Sequence, residues 1–412
     1  MTFIDLDART VQRAKLATFA FFALAGVAFA TWASRIADAK IALGLSAGEL
    51  GATLFAMSAG SVLALPLTGR VVERFGVVRT IRAGMIIAAL GAIVVGLGVD
   101  LWHSRPVVMV GLFFLGIGVG GWDVAMNLEA TDVERHLGRA ITPHFHAAFS
   151  GGTVVTALLG SGLSWAQVPI SVHLTVALLV TIAAGLFALR YCLPHEATAA
   201  GAAAAHREET GTRGRSAWLE PRTLVIGVVV LVAAFTEGTA NDWLAVAFHE
   251  GHHLPTWAGV LAFATFLSFM TLGRIVGTRL LDRFGRIPVL RVSFVIAVLG
   301  SAMVIFGAPW VAFAGTAVWG LGAALGFPVG MSAAADEPAR AAARMSVIAT
   351  IGYAAFLAGP PLLGFLGDHV GVLRSLTVVG AGALLALLLV PALREPAKHE
   401  LVAPEPVAPV AH

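Results

Sequence analysis

Twelve apolar runs, each about as long as a membrane-crossing helix, divide nearly all of this 412-residue sequence. A bilayer's hydrocarbon core is about 30 Å thick and a helix rises about 1.5 Å per residue, so about 20 mostly apolar residues suffice to cross it. Charge clusters and Pro/Gly punctuation set the runs at approximately 16–34, 47–67, 80–99, 106–130, 143–164, 170–192, 223–247, 256–276, 287–307, 309–334, 345–366 and 371–393. Soluble domains carry about 25% charged residues. This chain carries 12%, with mean hydropathy +0.86, too little charge to cover a body of this size in water. The expected fold class is an all-α membrane protein with twelve transmembrane helices.

Cytoplasmic loops accumulate Lys and Arg. With the N-terminus inside, all but Arg35, Lys40, Arg105 and Arg374 of the 27 Lys and Arg fall in inside segments. That bias predicts a multi-pass protein of a bacterial-type inner membrane with both termini cytoplasmic. Residues 194–221 are rich in Ala, Gly and charge and predict a cytoplasmic linker between two six-helix halves, 1–193 and 222–393. The Pro/Ala-rich segment 394–412 is expected to be a disordered cytoplasmic tail.

One short pattern is written twice. "RVVERFG" occupies 70–76 and "RLLDRFG" 279–285, an offset of 209. Each lies between the second and third run of its half, so an internal duplication with parallel halves is expected. The turn requires Gly76 and Gly285 to adopt positive φ without a Cβ clash. The acids Glu73 and Asp282, placed among arginines, are expected to face a helix N-terminus of the opposite half and latch the cytoplasmic side.

Here the sequence resembles the major facilitator superfamily, whose signature in this loop is Gly-x-x-x-Asp-Arg-x-Gly-Arg-Arg. Gly69, Glu73, Arg74 and Gly76 match it, while Val77 and Val78 stand where the family has basic residues. Asp282, Arg283, Gly285 and Arg286 match in the second copy, with Thr278 in place of the leading Gly. The resemblance implies two pseudo-symmetric six-helix bundles rocking about a central cavity. Stretches 30–51, 121–150 and 237–243 resemble the MosC-type branch, which includes rhizopine-related permeases. That likeness implies a small polar solute such as a sugar, polyol or amino-cyclitol.

Charged groups inside a membrane cost about 2.5–3.5 kcal/mol each and usually face a cavity or a partner. Asp123 and Asn127 share a face of the fourth helix, with Glu129 on another. The tenth helix is uncharged until Asp336, so Asp123 is a specialised group and a candidate for solute or proton binding. Glu237 and Asn241 share a face of the seventh helix and are candidates too, whereas Asp242 lies nearer the outside and is expected to be wet. His146, a possible proton relay, and the aromatic residues Trp32, Trp319 and Tyr353 complete the expected cavity lining. Arg35 is expected to snorkel. For each candidate a packing or capping role is the competing reading.

Other chemistries find little support. Cys192 is the single cysteine, so neither an intramolecular disulfide nor a Cys-based metal cluster is available. The basic residues are scattered over short loops, which points to membrane lipid and not nucleic acid. "GIGVGG" at 116–121 lies within a span with no preceding strand, so it is no nucleotide loop. "HEGHH" at 249–253 contains a His-Glu-x-x-His string, but Gly251 and the following Leu254-Pro255 argue against a zinc hydrolase helix. Drug antiporters of the superfamily this sequence resembles carry a Gly-Pro pair in the fifth helix; here that helix lacks one and the pair stands in the eleventh, at Gly359-Pro360, so the resemblance implies uptake over drug efflux. The expectation is a monomeric, non-enzymatic secondary transporter with no cofactor, driven by the proton motive force.

Overall fold

Lipid offers no hydrogen bonds, so each apolar run must satisfy its backbone internally, and a helix does so. The computed structural model describes residues 7–139, 141–193, 216–337 and 340–395. Among these every expected run is helical and no strand occurs. The helices are α1 (Ala8–Ala42), α2 (Ala47–Phe75), α3 (Val77–Asp100), α4 (Arg105–Leu137), α5 (Thr142–Trp165), α6 (Ile170–Tyr191), α7 (Pro221–His252), α8 (Thr256–Phe284), α9 (Arg286–Phe306), α10 (Pro309–Ala334), α11 (Ala341–Val370) and α12 (Val372–Leu393). Several outrun the apolar stretch that marks them, because a helix continues as its side chains turn polar: α4 reaches Leu137 and α8 reaches Phe284. Most of the expected linker and tail lies outside the described residues; of the linker, Ala217–Leu219 form a short 3₁₀ turn leading into α7.

The duplication is visible in helix packing. A Cβ on Gly116 of α4 would lie 2.0 Å from the carbonyl oxygen of Met57, and one on Gly320 of α10 would lie 2.4 Å from that of Phe266. A Cβ on Gly118 would lie 2.3 Å from the amide nitrogen of Ala88, and one on Gly322 2.4 Å from that of Ala297. Met57 and Ala88 stand 209 positions before Phe266 and Ala297, but the α4 glycines stand only 204 before those of α10. The first half therefore carries five more residues from the middle of its third helix to the middle of its fourth. In this register Asp123 corresponds to Phe327 and Asp132 to Asp336.

Large apolar side chains cover the outside, including Leu388, Phe306 and Leu159. Trp102, Trp165 and Trp310 are exposed at one end of the helices, as in an interfacial aromatic belt. That end is also the arginine-poor one. The halves meet along α2–α11 and α5–α8. Every side-chain hydrogen bond or ion pair joining the halves between described residues lies at the arginine-poor end. Ser161 donates to the Trp257 carbonyl (2.8 Å), Ser164 meets Thr256 (3.1 Å), Ser46 donates to Asp368 (3.2 Å), and Lys40 pairs with Glu250. Among the described residues the arginine-rich end has no such tie, so the side-chain ties between the halves that the structure describes are confined to one end.

Candidate functional site

The mid-membrane polar groups converge on the face where the halves meet. α4 carries Asp123 and Asn127 one turn apart, and the Asn127 side-chain amide donates to the Asp123 carbonyl (2.9 Å) and reaches its Oδ1 (3.4 Å). The amide therefore holds Asp123 in place without neutralising it, and the carboxylate has no ion-pair partner among the described residues. Tyr353, from α11 of the other half, stands within electrostatic range of Asp123, with Phe356 beside it at 6.4 Å between ring centroids. A carboxylate of the first half, held by an amide of its own helix, and a phenol of the second half thus lie within electrostatic range of each other across the boundary between the halves.

Glu237 behaves differently from its expectation as a free acid. Its Oε2 accepts from Arg274 of α8 at 2.8 Å. Arg274 also donates from Nε to the carbonyl of Ala324 (3.4 Å), where α10 breaks between Ala323 and Gly326. Charge counting assigns Arg274 to the inside end of the eighth run; α8 extends ten residues past it. His146 on α5 stands within electrostatic range of Arg274 and edge-on to Phe22 at 5.0 Å. Asn241 keeps a buried Oδ1 with no partner. Asp242, expected to be wet, instead lines a small cavity between α7 and α11.

Three expected placements are corrected. Trp319 is 0% exposed, stands edge-on to Phe266 at 5.6 Å and packs on Gly300, so it fills the α8–α9–α10 core and forms no cavity wall. Trp32 is likewise buried. An indole in a tight helix interface displaces more apolar surface from water than one on a wall, which is why packing claims both. Arg35 does not snorkel: it is 3% exposed, donates to the Val168 carbonyl (2.7 Å), and lies 2.9 Å from Asp38, an ion pair without hydrogen-bond alignment. Glu129 is fully buried and accepts from the Leu193 amide (2.8 Å), tying α4 to the end of α6.

The two heptapeptides form the expected turns, with φ of 83° at Gly76 and 75° at Gly285. Gly69 sits exposed on the last turns of α2. Their acids do not latch the halves in this conformation. Glu73, Arg74, Asp282 and Arg283 are exposed, and the two arginines lie over their own neighbours Phe75 and Phe284 at 5.5 and 5.2 Å. Arg286 alone is engaged, within its own half, with Asp336 (2.7 Å) and Ser332 (3.1 Å); Arg222 joins the same Asp336 at 2.8 Å. An acid on a helix N-terminus of the opposite half does occur, but at the other end. Asp368 of α11 accepts from the Ser46 hydroxyl and from the amides of Ala47 and Gly48, where α2 begins. The first amides of a helix lack intrahelical acceptors, so they suit a carboxylate.

The "HEGHH" string closes α7. His249 bonds the Leu254 carbonyl (2.7 Å), His252 the Val304 carbonyl (2.8 Å), Glu250 pairs with Lys40, and His253 ends the helix at φ 56°. Its side chains are spent on backbone and on the inter-half tie. No group of three metal-ligating side chains forms among the described residues. At the arginine-rich end Glu220 gathers Arg340 (2.6 Å) and Arg344 (2.7 Å), a cluster that sequence reasoning missed.

Comparison with known proteins bears on this arrangement. A family model described as Major Facilitator Superfamily matches residues 16–314 and 261–411. An uncharacterised transporter, y4wD, of Sinorhizobium fredii is 30% identical over 91% of this chain and 96% of its own length. An uncharacterised MFS-type transporter of Yersinia pestis is 32% identical over 90% and 92%. The membrane protein MosC of Rhizobium meliloti is 26% identical over 89% and 87%. Among solved structures, a mutant of the nucleoside transporter NupG superposes with a TM-score of 0.74 at 14% identity, covering 93% of this chain and 99% of that one. A D-xylose–proton symporter superposes with a TM-score of 0.69 at 15% identity, covering 92% and 97%.

Proposed function

The chain belongs to the Major Facilitator Superfamily of membrane transporters, and from that premise we propose that it imports a small polar organic solute, of the sugar, polyol or amino-cyclitol kind, by proton-coupled alternating access. One observation carries the reading: Asp123 of the first half, held by Asn127, lies within electrostatic range of Tyr353 of the second. A solute held between them touches both halves, so its binding free energy differs between the two tilts of the bundle, which a transport cycle requires. Asp123 is the proton carrier in this proposal, because it is unpaired. Glu237 serves the solute site through its pair with Arg274 and does not carry the proton. The names of the nucleoside and xylose transporters support a hydroxyl-rich solute. The arginine-rich end faces the cytoplasm, both termini lie there, the protein works as a monomer, and the proton motive force is its only energy source.

The test is a panel of labelled sugars, polyols and amino-cyclitols in proteoliposomes, with and without an imposed pH gradient. Wild type is expected to accumulate at least one solute down the proton gradient. Asp123→Asn is expected to lose the gradient dependence, and Glu237→Gln to weaken solute binding while keeping it. Accumulation only under the reversed gradient assigns efflux instead. An Asp123→Asn protein that still follows the gradient as wild type does sinks the coupling role.

A further inference from the structure

Arg35 and Asp38 form a buried ion pair that the solute face does not use. α1 is interrupted there: it runs as Ala8–Ala33, turns at Ser34 and Arg35, and resumes as Ile36–Ala42, with no proline to break it. The Arg35 amide donates to the Trp32 carbonyl (2.8 Å), and the Ser34 hydroxyl donates to that of Thr31 (3.2 Å). A tightened turn inside a helix often marks a hinge. Neither charge is fully satisfied. Arg35 donates from Nη2 to Val168, but its Nε and Nη1, and Oδ2 of Asp38, are buried without a hydrogen bond. A pair held on such terms adds little to a fold, since well-packed apolar residues of similar volume often stabilise as well or better.

The second half carries that apolar replacement. Gly44 and His253 both take positive φ (62° and 56°) 209 positions apart, which fixes the register of the first helix of each half. Leu244 then stands at the place of Arg35 and Ala247 at that of Asp38, both 0% exposed, in an α7 that runs unbroken. In the fifth helices Gln167 and Gly371 take positive φ (54° and 85°) 204 positions apart, so Ser164 of α5 stands at the place of Asp368 of α11. Asp368 sets a carboxylate on the first amides of α2. Ser164 likewise meets the first residue of α8, Thr256, at 3.1 Å, but carries no charge. The carboxylate lies one step behind it, with Asp38 Oδ1 3.1 Å from the Ser164 hydroxyl. A carboxylate only accepts and Ser164 has one hydroxyl hydrogen, so Ser164 donates to Asp38 and Thr256 donates to Ser164. The charge of Asp38 thereby sets the direction of a relay that crosses between the halves.

We infer that Arg35 and Asp38 are positioning residues for transport: the pair holds the Ser164 hydroxyl on Thr256 and so fastens the α5–α8 crossing at the arginine-poor end, as Asp368 fastens the α2–α11 crossing directly. Arg35 sets the geometry. It ties the break in α1 to the Val168 carbonyl, in the turn that follows α5, so the Ile36–Ala42 segment and the end of α5 are held as one body. The same segment carries Lys40, whose pair with Glu250 of α7 is a second tie between the halves. The break in α1 gives this body a place to turn when the end parts. Asp100, within electrostatic range of Arg35, has the Ser171 amide (2.6 Å) as a separate partner. The inference needs no particular solute or coupling ion, only the alternation of the two halves.

The test gives the first half the residues of the second, Arg35→Leu with Asp38→Ala, in the full-length chain. Two quantities are read: the thermal unfolding midpoint of the purified protein, and the labelling rate of Tyr353→Cys, in a Cys192→Ser background, by an impermeant thiol reagent added at the arginine-poor side of the membrane. The midpoint is expected to hold or rise, while labelling accelerates about 2- to 12-fold, the worth of one hydrogen bond. Ser164→Ala alone is expected to accelerate labelling in the same range, and added to the paired replacement to change it no further, because both act through one hydroxyl. Arg35→Gln with Asp38→Asn removes both charges at nearly constant volume; it is expected to act in the same direction and serves where the smaller pair leaves a cavity and does not fold. Labelling within about 1.5-fold of the parent in a folded paired variant overturns the inference. So does a Ser164→Ala effect that multiplies in full with that of the pair. A midpoint lowered in both paired variants makes Arg35 and Asp38 structural supports and overturns it too.

Discussion

Removing the charge of Asp368 should loosen the arginine-poor end by an amount that can be worked from its contacts. The carboxylate accepts from the Ser46 hydroxyl at 3.2 Å and from the amides of Ala47 and Gly48, at the positive end of α2. Hydrogen bonds to a charged group contribute about 1.5–3 kcal/mol, and the helix terminus about 0.3–1 kcal/mol. Asp368 is exposed, so solvent screening cuts the net to about 0.5–1.5 kcal/mol. At about 1.4 kcal/mol per factor of ten, Asp368→Asn shifts the balance of closed and open forms about 2- to 12-fold toward open. Gly48→Ala should act alike, since its Cβ would lie 2.3 Å from the Asp368 Oδ2 and push the carboxylate off the helix end. The assay is the labelling rate of a single cysteine, Tyr353→Cys in a Cys192→Ser background, by an impermeant thiol reagent added at the arginine-poor side. Labelling should accelerate in proportion to the open fraction. Rates within about 1.5-fold of the parent in both variants would refute the idea that this helix terminus holds the end shut.

Two further outcomes follow from other charges. Glu237 and Arg274 are partly buried and 2.8 Å apart, so a double-mutant cycle with Glu237→Gln and Arg274→Gln should give a coupling of about 1–3 kcal/mol, read as unfolding midpoints. Single variants fall more than the double one, because each strands a charge; additive losses would show that the pair is not formed. Burial opposes ionisation of Glu220, but hydrogen bonds from Arg344 and Thr223 and the charges of Arg344 and Arg340 outweigh it and hold its carboxyl below the usual 4.5. A depressed carboxyl stabilises the fold above its unfolded value and loses that contribution as pH falls through the folded one. Stability should therefore drop below about pH 4.5, and Glu220→Gln should flatten that part of the profile; an unchanged profile would remove Glu220 from the account.

Much of this molecule could be read in one dimension. Span count, two halves, repeated turns and their positive-φ glycines are all consequences of local composition, because lipid imposes one requirement on every run independently. The turn at Gly76 needs only its own backbone, and Asp123 and Asn127 share a face by helical period alone. Partnership could not be read in this way. Glu237 looks like Asp123 in sequence, yet one is paired with Arg274 and the other has no ion-pair partner among the described residues, and that difference depends on which helix lies opposite. The same holds for Arg35, whose burial depends on the α5–α6 turn at Val168, and for Trp319, whose indole is claimed by Phe266. Sequence placed an acid against a helix N-terminus at the arginine-rich end, whereas the packing puts Asp368 on α2 at the other. Charge, period and hydropathy belong to single segments, and they determined the architecture. Pairing energies fall off within a few ångströms and join residues as far apart in the chain as Ser46 and Asp368, so only the tertiary arrangement decided which polar groups are satisfied and which stand open.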